Sequence, residues 1–282
     1  MILRKEVEAM TMKNTKKRKI DFKAKDQKTN TFKNVGYALL EDEETAERAK
    51  LYFYGDIVSE SWYSEWDTDA KCPQEIADFF NSVDPHKEID VYFNSCGGDA
   101  TAGIAIANIL LRHQGKKVGY VDALAASTAS FILCACDEVE IGVGAEVMIH
   151  DPWCYAAGNA QDFTRYIEQL NLCKENIIDF YMRHAAENME REDFSEMMSQ
   201  EKWIGTKEIG NYFDFKVNEN SVTPAAATSN LLSRYKNVPE EIIQKKNDDL
   251  EIEAIVKSVV SEIEAREKAK REKEKQAILA SL

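Results

Sequence analysis

Short hydrophobic runs alternate with longer amphipathic stretches through the middle of the chain. The short runs have the length of buried strands, and the amphipathic stretches have the spacing of helices. Predicted strands cover residues 51–57, 89–93, 118–121, 139–141 and 147–149, and predicted helices begin at Pro73, Thr101 and Ser127. Strands that are separated by helices imply βαβ crossovers, so the pattern predicts an α/β fold with a mainly parallel sheet.

A longer helical period follows the last of these strands. Between residues 159 and 190, apolar side chains recur at steps of three and four, at Phe163, Ile167, Leu170, Cys173, Ile177, Phe180 and Tyr181. A helix of this length needs a second surface to cover its apolar face. That surface is either the rest of its own domain or a partner subunit.

The two ends of the chain differ in composition from its centre. Residues 1–34 are lysine-rich without a sustained apolar period, which is typical of a flexible basic arm. Residues 219–237 contain a Ser/Thr/Ala-rich stretch and are predicted to be a linker. Residues 238–282 carry an apolar stripe among Glu and Lys, which predicts a charged amphipathic helix. The domain with the predicted sheet is therefore expected to span residues 35–218.

Charge is also unevenly distributed over the 282 residues. The formal net charge is −14, yet residues 1–34 contain eleven lysines and arginines against four acidic residues, a local charge of +7. An acidic chain does not suit a general nucleic-acid binder, so any nucleic-acid contact is expected from the arm alone. The composition, 30% charged and 44% hydrophobic, is that of a soluble globular protein.

Neither the cysteines nor the hydrophobic runs indicate a secreted or membrane protein. The six cysteines lack paired CxxC spacing, so we expect free thiols, buried at Cys134, Cys136 and Cys173, and no metal or cofactor. No apolar run approaches the ~18 residues that span a bilayer. The basic N-terminus also lacks the apolar segment of a secretion signal. We therefore expect a cytoplasmic protein without membrane contact.

Ser127 lies where a predicted strand passes into a small-residue helix, in the sequence Asp122-Ala-Leu-Ala-Ala-Ser127. A hydroxyl at such a turn can face a cleft, and the unpaired N–H groups of the first helical turn can stabilise an oxyanion. Serine at the start of a helix more often caps it. On this stretch alone, Ser127 is either a nucleophile or a helix cap.

Two further features favour the nucleophile. The glycine pair Gly97 and Gly98 follows strand 89–93, and His150 follows strand 147–149. The carboxyl ends of strands in an α/β sheet gather into one crevice, so these residues are expected to lie near Ser127. Histidine is the side chain whose pKa lies near neutrality, which makes His150 the predicted base. The remaining histidines, His86, His113 and His184, are predicted to be surface residues.

Other residues compete for a functional role. Ser130 would lie nearly one turn inside the helix, where its own N–H is less available to an oxyanion, and Ser95 precedes the glycines. The aromatic loop of Trp62, Tyr63 and Trp66 either contacts a substrate or subunit or folds onto its own core.

Several motifs in this order resemble the Clp-type serine peptidase family, and especially its phage and prophage members. They are Asn94-Ser-Cys-Gly-Gly98, Ala125-Ala-Ser127, Met148-Ile-His150-Asp-Pro152 and Trp203-Ile-Gly-Thr-Lys-Glu-Ile209. The resemblance covers about residues 50–218. It implies a crotonase-like βαβ spiral, a handle helix through which two rings dock, and a homo-oligomer of heptameric rings, single or paired.

The resemblance also implies roles for individual residues. The family's serine follows an Ala-Ala pair, which selects Ser127 over Ser130 and Ser95. The family's acid, normally Asp, falls on Glu201, and the alternatives are Asp151, Asp193 or no acid at all.

The same comparison of motifs implies the oxyanion and substrate positions. The N–H groups of Gly97 and Thr128 are the expected oxyanion donors. An extended substrate is expected to add a strand along four residues: Gly98, Asp99, Ala100 and Thr101. Cys96 stands where the family has proline, and Ala123 where it has glycine, and neither change removes a group that the reaction needs.

These observations favour a serine endopeptidase, a hydrolase that uses no metal or cofactor. The first hypothesis is a phage or prophage head maturation protease that cuts capsid or scaffold proteins, with a scaffold-like or capsid-interacting role for helix 238–282. The alternatives are a degradative peptidase fed by an ATPase unfoldase, a crotonase relative that acts on acyl-CoA thioesters, and an inactive ring subunit. The pairing of Ser127 with His150 argues against the crotonase relative, because that chemistry needs no serine nucleophile.

Overall fold

The computed structural model describes residues 15–26, 31–43, 47–57, 72–219, 232, 234–239 and 242. The chain divides into two compact units, Met1–Val238 and Pro239–Leu282. The sheet and the candidate site both belong to the first unit.

The elements of the first unit alternate between strands and helices from residue 48 to residue 149. The strands are β1 Thr15–Asp26, β2 Thr31–Glu43, β3 Arg48–Gly55, β4 Glu88–Ser95, β5 Lys117–Ala126, β6 Glu138–Gly142, β7 Glu146–Ile149, β8 Lys202–Gly205 and β9 Lys216–Asn218. The helices are α1 Cys72–Ser82, α2 Ala100–Arg112, α3 Thr128–Leu133, α4 Ala160–Tyr181 and α5 Arg191–Ser199.

Within the described ranges, nine strands form one sheet, in the order β1-β2-β3-β4-β5-β6-β9. The pairs from β3 to β6 are parallel, and so is the pair of β6 with β9. β5 forks: its first half pairs with β6 and its last three residues pair with β7, also in parallel. The α/β class with a mainly parallel sheet, predicted from the alternation of elements, is confirmed.

The core lies between the helices and one face of the central strands. Leu51 and Phe53 of β3 and Val91 and Phe93 of β4 are fully buried, because alternate residues of a strand point to the same face. On the other face, Tyr52, Tyr92 and Tyr120 lie in register on three neighbouring strands. Their rings stack with centroids 4.6 and 5.0 Å apart.

The expected flexible arm over residues 1–34 is wrong for its second half. Residues 15–26 and 31–43 pair as an antiparallel hairpin, and β2 continues onto β3. The strand pairing satisfies backbone N–H and C=O groups that a flexible arm would leave to water. A signal was present in the sequence, since Ile20, Phe22 and Ala24 alternate with charged residues.

The helical stretch predicted over residues 159–190 is shorter in the structure. Helix α4 begins after Asn159, whose side chain accepts from the N–H groups of Gln161 and Asp162, and it ends at Tyr181. Its C-terminal turns pack into the core, whereas Phe163, Ile167 and Leu172 are 46%, 59% and 64% exposed. Helix α4 thus exposes apolar side chains on more than one side.

Two predicted features lie outside the described residues. They are the aromatic loop with Trp62, Tyr63 and Trp66 and most of the charged helix 238–282. Where the structure does describe helices, none is long and apolar enough to cross a membrane.

Candidate active site

Ser127 occupies the turn between β5 and α3 in a strained backbone conformation. Its φ and ψ angles are 53° and −121°, a region that non-glycine residues rarely adopt. Its N–H donates to the Met148 carbonyl over 2.8 Å, which ties the turn to β7. The Ser127 side chain makes no helix-capping hydrogen bond. The helix-cap interpretation is therefore wrong, and the strained turn leaves the hydroxyl available to another partner.

That partner is His150. Strands β5 and β7 pair in parallel with Ala126 opposite Met148, so Ser127 and His150 both leave the sheet at the same edge. The His150 Nε2 and Ser127 Oγ atoms are 2.7 Å apart. When the neutral ring carries its proton on Nδ1, Nε2 accepts from the serine hydroxyl. The structure thus brings together the predicted nucleophile and the predicted base.

Burial determines the protonation of His150. Desolvation lowers the pKa of His150 below its ordinary value, and the charges of Glu201 and then Asp151 act in the opposite direction. The lowered pKa favours the neutral imidazole at neutral pH, which is the form that can accept a proton from serine.

The glycine turn lies directly against Ser127. Gly97 has a φ of 88°, and a Cβ atom at Gly97 would lie 2.8 Å from the Ser127 Cβ and 2.9 Å from the Thr128 nitrogen. The two expected oxyanion donors, the N–H groups of Gly97 and Thr128, are therefore close neighbours. In this structure the Gly97 N–H donates to Ser95 Oγ over 3.1 Å.

The predicted substrate strand at Gly98 to Thr101 is contradicted by the structure. Asp99 caps helix α2 by accepting from the Ala102 N–H over 2.8 Å, so Ala100 and Thr101 are helical rather than extended. Gly98 already forms a parallel bridge with Ile57. Strand addition requires extended backbone, and the residues after the Asp99 cap are helical.

Glu201 is the acid that the resemblance implies. It follows helix α5, is 8% exposed, and has a φ of 53°, a conformation in which glycine is usual at helix ends. Its Oε1 atom accepts from the backbone N–H groups of Lys236 and Asn237 over 2.6 and 2.7 Å. Among the described residues, no hydrogen bond joins Glu201 to His150.

The other two candidate acids have different partners. The Asp151 carboxylate lies 2.7 Å from Lys174 Nζ and accepts from Ser199 Oγ over 3.1 Å. Asp193 accepts from the Glu190 N–H over 2.8 Å in the cap of helix α5. Both carboxylates thus have structural tasks, and neither is hydrogen-bonded to His150 in the part of the chain that the structure describes.

The competing serines are engaged in the fold. Ser130 Oγ donates to the Ser127 carbonyl over 2.6 Å and lies 2.8 Å from the Tyr181 hydroxyl, fully buried. Ser95 Oγ donates to the Gly55 carbonyl. Their hydroxyls hold backbone and core together, so Ser127 is the serine that faces a base.

Two histidines that were predicted to be surface residues are buried. His113 Nε2 lies 2.7 Å from the Lys87 carbonyl oxygen. His184 lies between the Asp214 carboxylate and the Cys136 carbonyl oxygen, at 2.7 and 2.9 Å. The surface prediction is wrong for both, because neighbouring acceptors compensate for the burial of their ring nitrogens. The prediction of buried thiols is confirmed at Cys134 and Cys136.

Sequence reasoning missed the segment Arg234–Val238, because residues 234–237 were assigned to a linker and Val238 to the charged helix. Tyr235 donates a hydrogen bond to the Cys96 carbonyl, and its ring lies edge-to-face against His150, with centroids 5.3 Å apart. The centroid of the Tyr235 ring also lies 6.1 Å from the centroid of the Trp203 ring. The aromatic and basic residues of this stretch were its only signal, and they do not identify a distant partner.

A half-buried serine–imidazole pair beside a glycine turn is the arrangement that serine hydrolases use. No group of three or more metal-binding side chains occurs among the residues that the structure describes. A model of the Clp protease family matches residues 67–212, and the chain belongs to this family.

Individual relatives agree with the family match. The chain is 30% identical over 131 residues to the ATP-dependent Clp protease proteolytic subunit 1 of Streptomyces coelicolor, and 29% identical over 131 residues to proteolytic subunit 3 of Streptomyces avermitilis. Each match covers 46% of this chain and 59% of the relative. The chain thus spans less than two thirds of the length of these relatives.

The lowered pKa of His150 has a measurable consequence. Activity requires the neutral imidazole, so we expect the acidic limb of kcat/KM to have its midpoint below that of an ordinary histidine. Glu201→Gln removes a negative charge that raises the pKa of His150, so the midpoint should move to still lower pH. Asp193→Asn, in the cap of α5, is the matched control and should leave the midpoint unchanged. A limb that moves to higher pH in Glu201→Gln would contradict this assignment.

Proposed function

We propose that the protein is a serine endopeptidase of the Clp type that uses Ser127 as nucleophile, His150 as general base and Glu201 as the acid. The observation that carries the proposal is the 2.7 Å contact between Ser127 Oγ and His150 Nε2. The strained backbone of Ser127 supports it, because strain of this kind persists where the surrounding structure holds a functional side chain.

The reaction is acyl transfer to serine and then to water. Ser127 Oγ forms a bond to the peptide carbonyl carbon while its proton passes to His150 Nε2. The C–N bond then breaks, and His150 returns the proton to the departing amine. A water molecule attacks the resulting ester and gives a proton to His150. The ester C–O bond breaks, the proton returns to Ser127, and the acid product leaves.

The oxyanion is stabilised by the N–H groups of Gly97 and Thr128. Their proximity to each other and to Ser127 supports this role, because two backbone donors beside the nucleophile can share the developing negative charge. Ser95 Oγ accepts from the Gly97 N–H in the absence of substrate. When substrate binds, the Gly97 N–H donates to the substrate carbonyl oxygen instead of to Ser95 Oγ.

Glu201 is the third member because its buried charge raises the pKa of His150. A carboxylate in that position favours the imidazolium that forms when Ser127 attacks. Glutamate also occupies a left-handed backbone position where glycine would be easier to accommodate. The carboxylate that Glu201 supplies to the site compensates for the cost of this backbone conformation.

An activated serine can be tested by intact mass after treatment with a fluorophosphonate. We expect one adduct on the wild type, none on Ser127→Ala or His150→Ala, and an adduct on Ser130→Ala, the matched control three residues away. Because Tyr235 lies against the site, Tyr235→Ala is treated in parallel. If neither the wild type nor Tyr235→Ala reacts while both are folded, the peptidase proposal is wrong.

Helix α4 supports assembly of the peptidase into rings that pair. Its exposed apolar residues Phe163, Ile167 and Leu172 suit a helix that is covered by another subunit. In the Clp-type arrangement, this helix is the handle of a crotonase-like subunit, and heptameric rings dock through it. Sedimentation of Ile167→Glu against the wild type tests the pairing of rings.

Two kinds of natural substrate fit the proposal, and each gives the peptidase a different role. The phage-like motifs favour head maturation, in which capsid or scaffold proteins are cut. The names of the two Streptomyces relatives, proteolytic subunits of an ATP-dependent Clp protease, favour degradation of proteins that an ATPase delivers. Incubation of the active protein with purified capsid and scaffold proteins, or with an unfolded protein and an unfoldase, distinguishes the two roles.

A further inference from the structure

The segment Arg234–Val238, here called the strap, lies across the candidate active site. The Tyr235 hydroxyl donates to the Cys96 carbonyl oxygen, which directly precedes the glycine turn. Burial raises the pKa of Tyr235, and the neighbouring Ser127 side chain lowers it by a smaller amount. The Tyr235 ring packs edge-to-face on both His150 and Trp203. One side chain of the strap therefore contacts the base and the oxyanion loop, beside the nucleophile.

Arg234 anchors the strap on its N-terminal side. Its guanidinium lies over the Trp153 ring at 5.2 Å and over the Tyr155 ring at 5.9 Å. These rings pack edge-to-face on each other and belong to the segment that directly follows His150. A cation over two aromatic faces is an attractive and specific contact. The surface beside the site thus accommodates a basic side chain.

Glu201 anchors the strap on its C-terminal side. Its Oε1 atom accepts from the N–H groups of Lys236 and Asn237, and the Asn237 side chain donates to the Gln200 carbonyl over 2.8 Å. Hydrogen bonds to a carboxylate are roughly twice as strong as neutral ones. The strap thereby binds the acid that the proposed mechanism requires beside His150.

We propose that the cleft beside Ser127 is a binding site for a peptide segment with a basic–aromatic pair, and that Arg234–Asn237 fill it and hold the peptidase closed. The inference rests on the proposed function. The occupant is a segment of the same chain, since its side chains and backbone already make the contacts that define the site.

The strap is an inhibitor rather than a substrate because of the group that faces Ser127. That group is a phenol, which has no acyl carbon for the serine to attack. The backbone N–H groups of Lys236 and Asn237 are directed to Glu201 instead. Burial raises the pKa of Tyr235, so the phenol stays protonated and keeps its bond to Cys96.

Opening the strap would change two parts of the site together. Departure of Tyr235 exposes the Ser127 hydroxyl to substrate. Departure of Lys236 and Asn237 releases two donors from the Glu201 carboxylate, which is then free to turn towards His150. Substrate entry and completion of the catalytic acid are thereby coupled to one movement.

The first test compares Tyr235→Ala with the wild type. A site that the strap keeps closed for nine tenths of the time loses about tenfold in apparent activity. We therefore expect Tyr235→Ala to raise both peptide hydrolysis and the rate of fluorophosphonate labelling about tenfold or more. Tyr212→Ala, a tyrosine outside the strap, should leave both rates unchanged. Equal rates in the wild type and Tyr235→Ala would overturn the proposal.

A second pair of variants tests the anchor on Glu201. Lys236→Pro removes the N–H that donates to Glu201, whereas Lys236→Ala keeps it and removes an exposed side chain. We expect activation in Lys236→Pro and wild-type rates in Lys236→Ala. Activation of both variants to the same extent would show that the backbone bond is not the anchor, and the proposal would fail.

A binding measurement separates the strap from catalysis. A fluorescein-labelled peptide with the sequence of residues 232–238 is added to Tyr235→Ala and to the wild type, and anisotropy is recorded. We expect binding to Tyr235→Ala at least about tenfold tighter than to the wild type, whose own strap fills the cleft. Binding of this peptide by a protein that hydrolyses no fluorogenic peptide substrate would support the strap and refute the peptidase. Hydrolysis without preferential binding would do the reverse.

Discussion

Ser127→Gly is expected to be more stable than Ser127→Ala by about 1 kcal/mol, while both variants lose hydrolysis by about 10⁴-fold or more. Both substitutions remove the nucleophile and its bond to His150, so the two variants differ only in the backbone. Alanine keeps the Cβ atom that makes a φ of 53° and a ψ of −121° costly, and glycine does not. The usual order, in which alanine is the more stable, should therefore be reversed.

The matched control lies three residues further along helix α3. Ser130 has ordinary helical surroundings, so Ser130→Ala should be more stable than Ser130→Gly by about 1 kcal/mol. Urea unfolding gives the stabilities, and a fluorogenic peptide gives the rates. If Ser127→Ala proves more stable than Ser127→Gly, the turn is not strained as described.

Gly97→Ala is expected to reduce hydrolysis by about 10²- to 10³-fold, the effect of losing one oxyanion donor. The added Cβ would lie 2.5 Å from the Ala126 carbonyl oxygen, so the glycine turn must move away from Ser127. The positive φ of Gly97 adds backbone strain, of about 1–3 kcal/mol. Both activity and the free energy of unfolding should therefore fall together.

Gly210→Ala provides the matched control for this variant. No atom lies within 4 Å of a Cβ at Gly210, so this variant should hydrolyse peptides at the wild-type rate. Peptide hydrolysis and urea unfolding of the two variants are measured side by side. A Gly97→Ala protein with unchanged kcat would remove Gly97 from the oxyanion site.

The sequence was sufficient to predict the central sheet and the Ser127–His150 pair. Both depend on local signals: strands with buried periodicity, a small-residue turn, and polar residues at the carboxyl ends of neighbouring strands. The choice of Ser127 over Ser130 and Ser95 came from the resemblance. Glu201 followed from resemblance alone, because it lies on a different element and its conformation is set by the end of helix α5.

The remaining features depend on contacts between residues that are distant in sequence. The strap reaches Cys96 across 139 residues, and nothing near Tyr235 indicates that partner. The substrate strand was predicted wrongly because Asp99 was interpreted only as part of the glycine turn, whereas its side chain caps α2. In the hairpin of β1 and β2, the abundance of lysine concealed an alternating pattern.

The fork in β5 makes the spacing of the reactive pair a property of strand register. Three backbone pairs, Leu124 with Glu146, Ala125 with Val147 and Ala126 with Met148, determine where β7 ends relative to β5. A slip of one residue would shift His150 by about 3.3 Å along the strand and turn its side chain to the opposite face. The alignment of base and nucleophile is therefore achieved wherever β5 and β7 pair in this register, whatever the conformation of the surface loops.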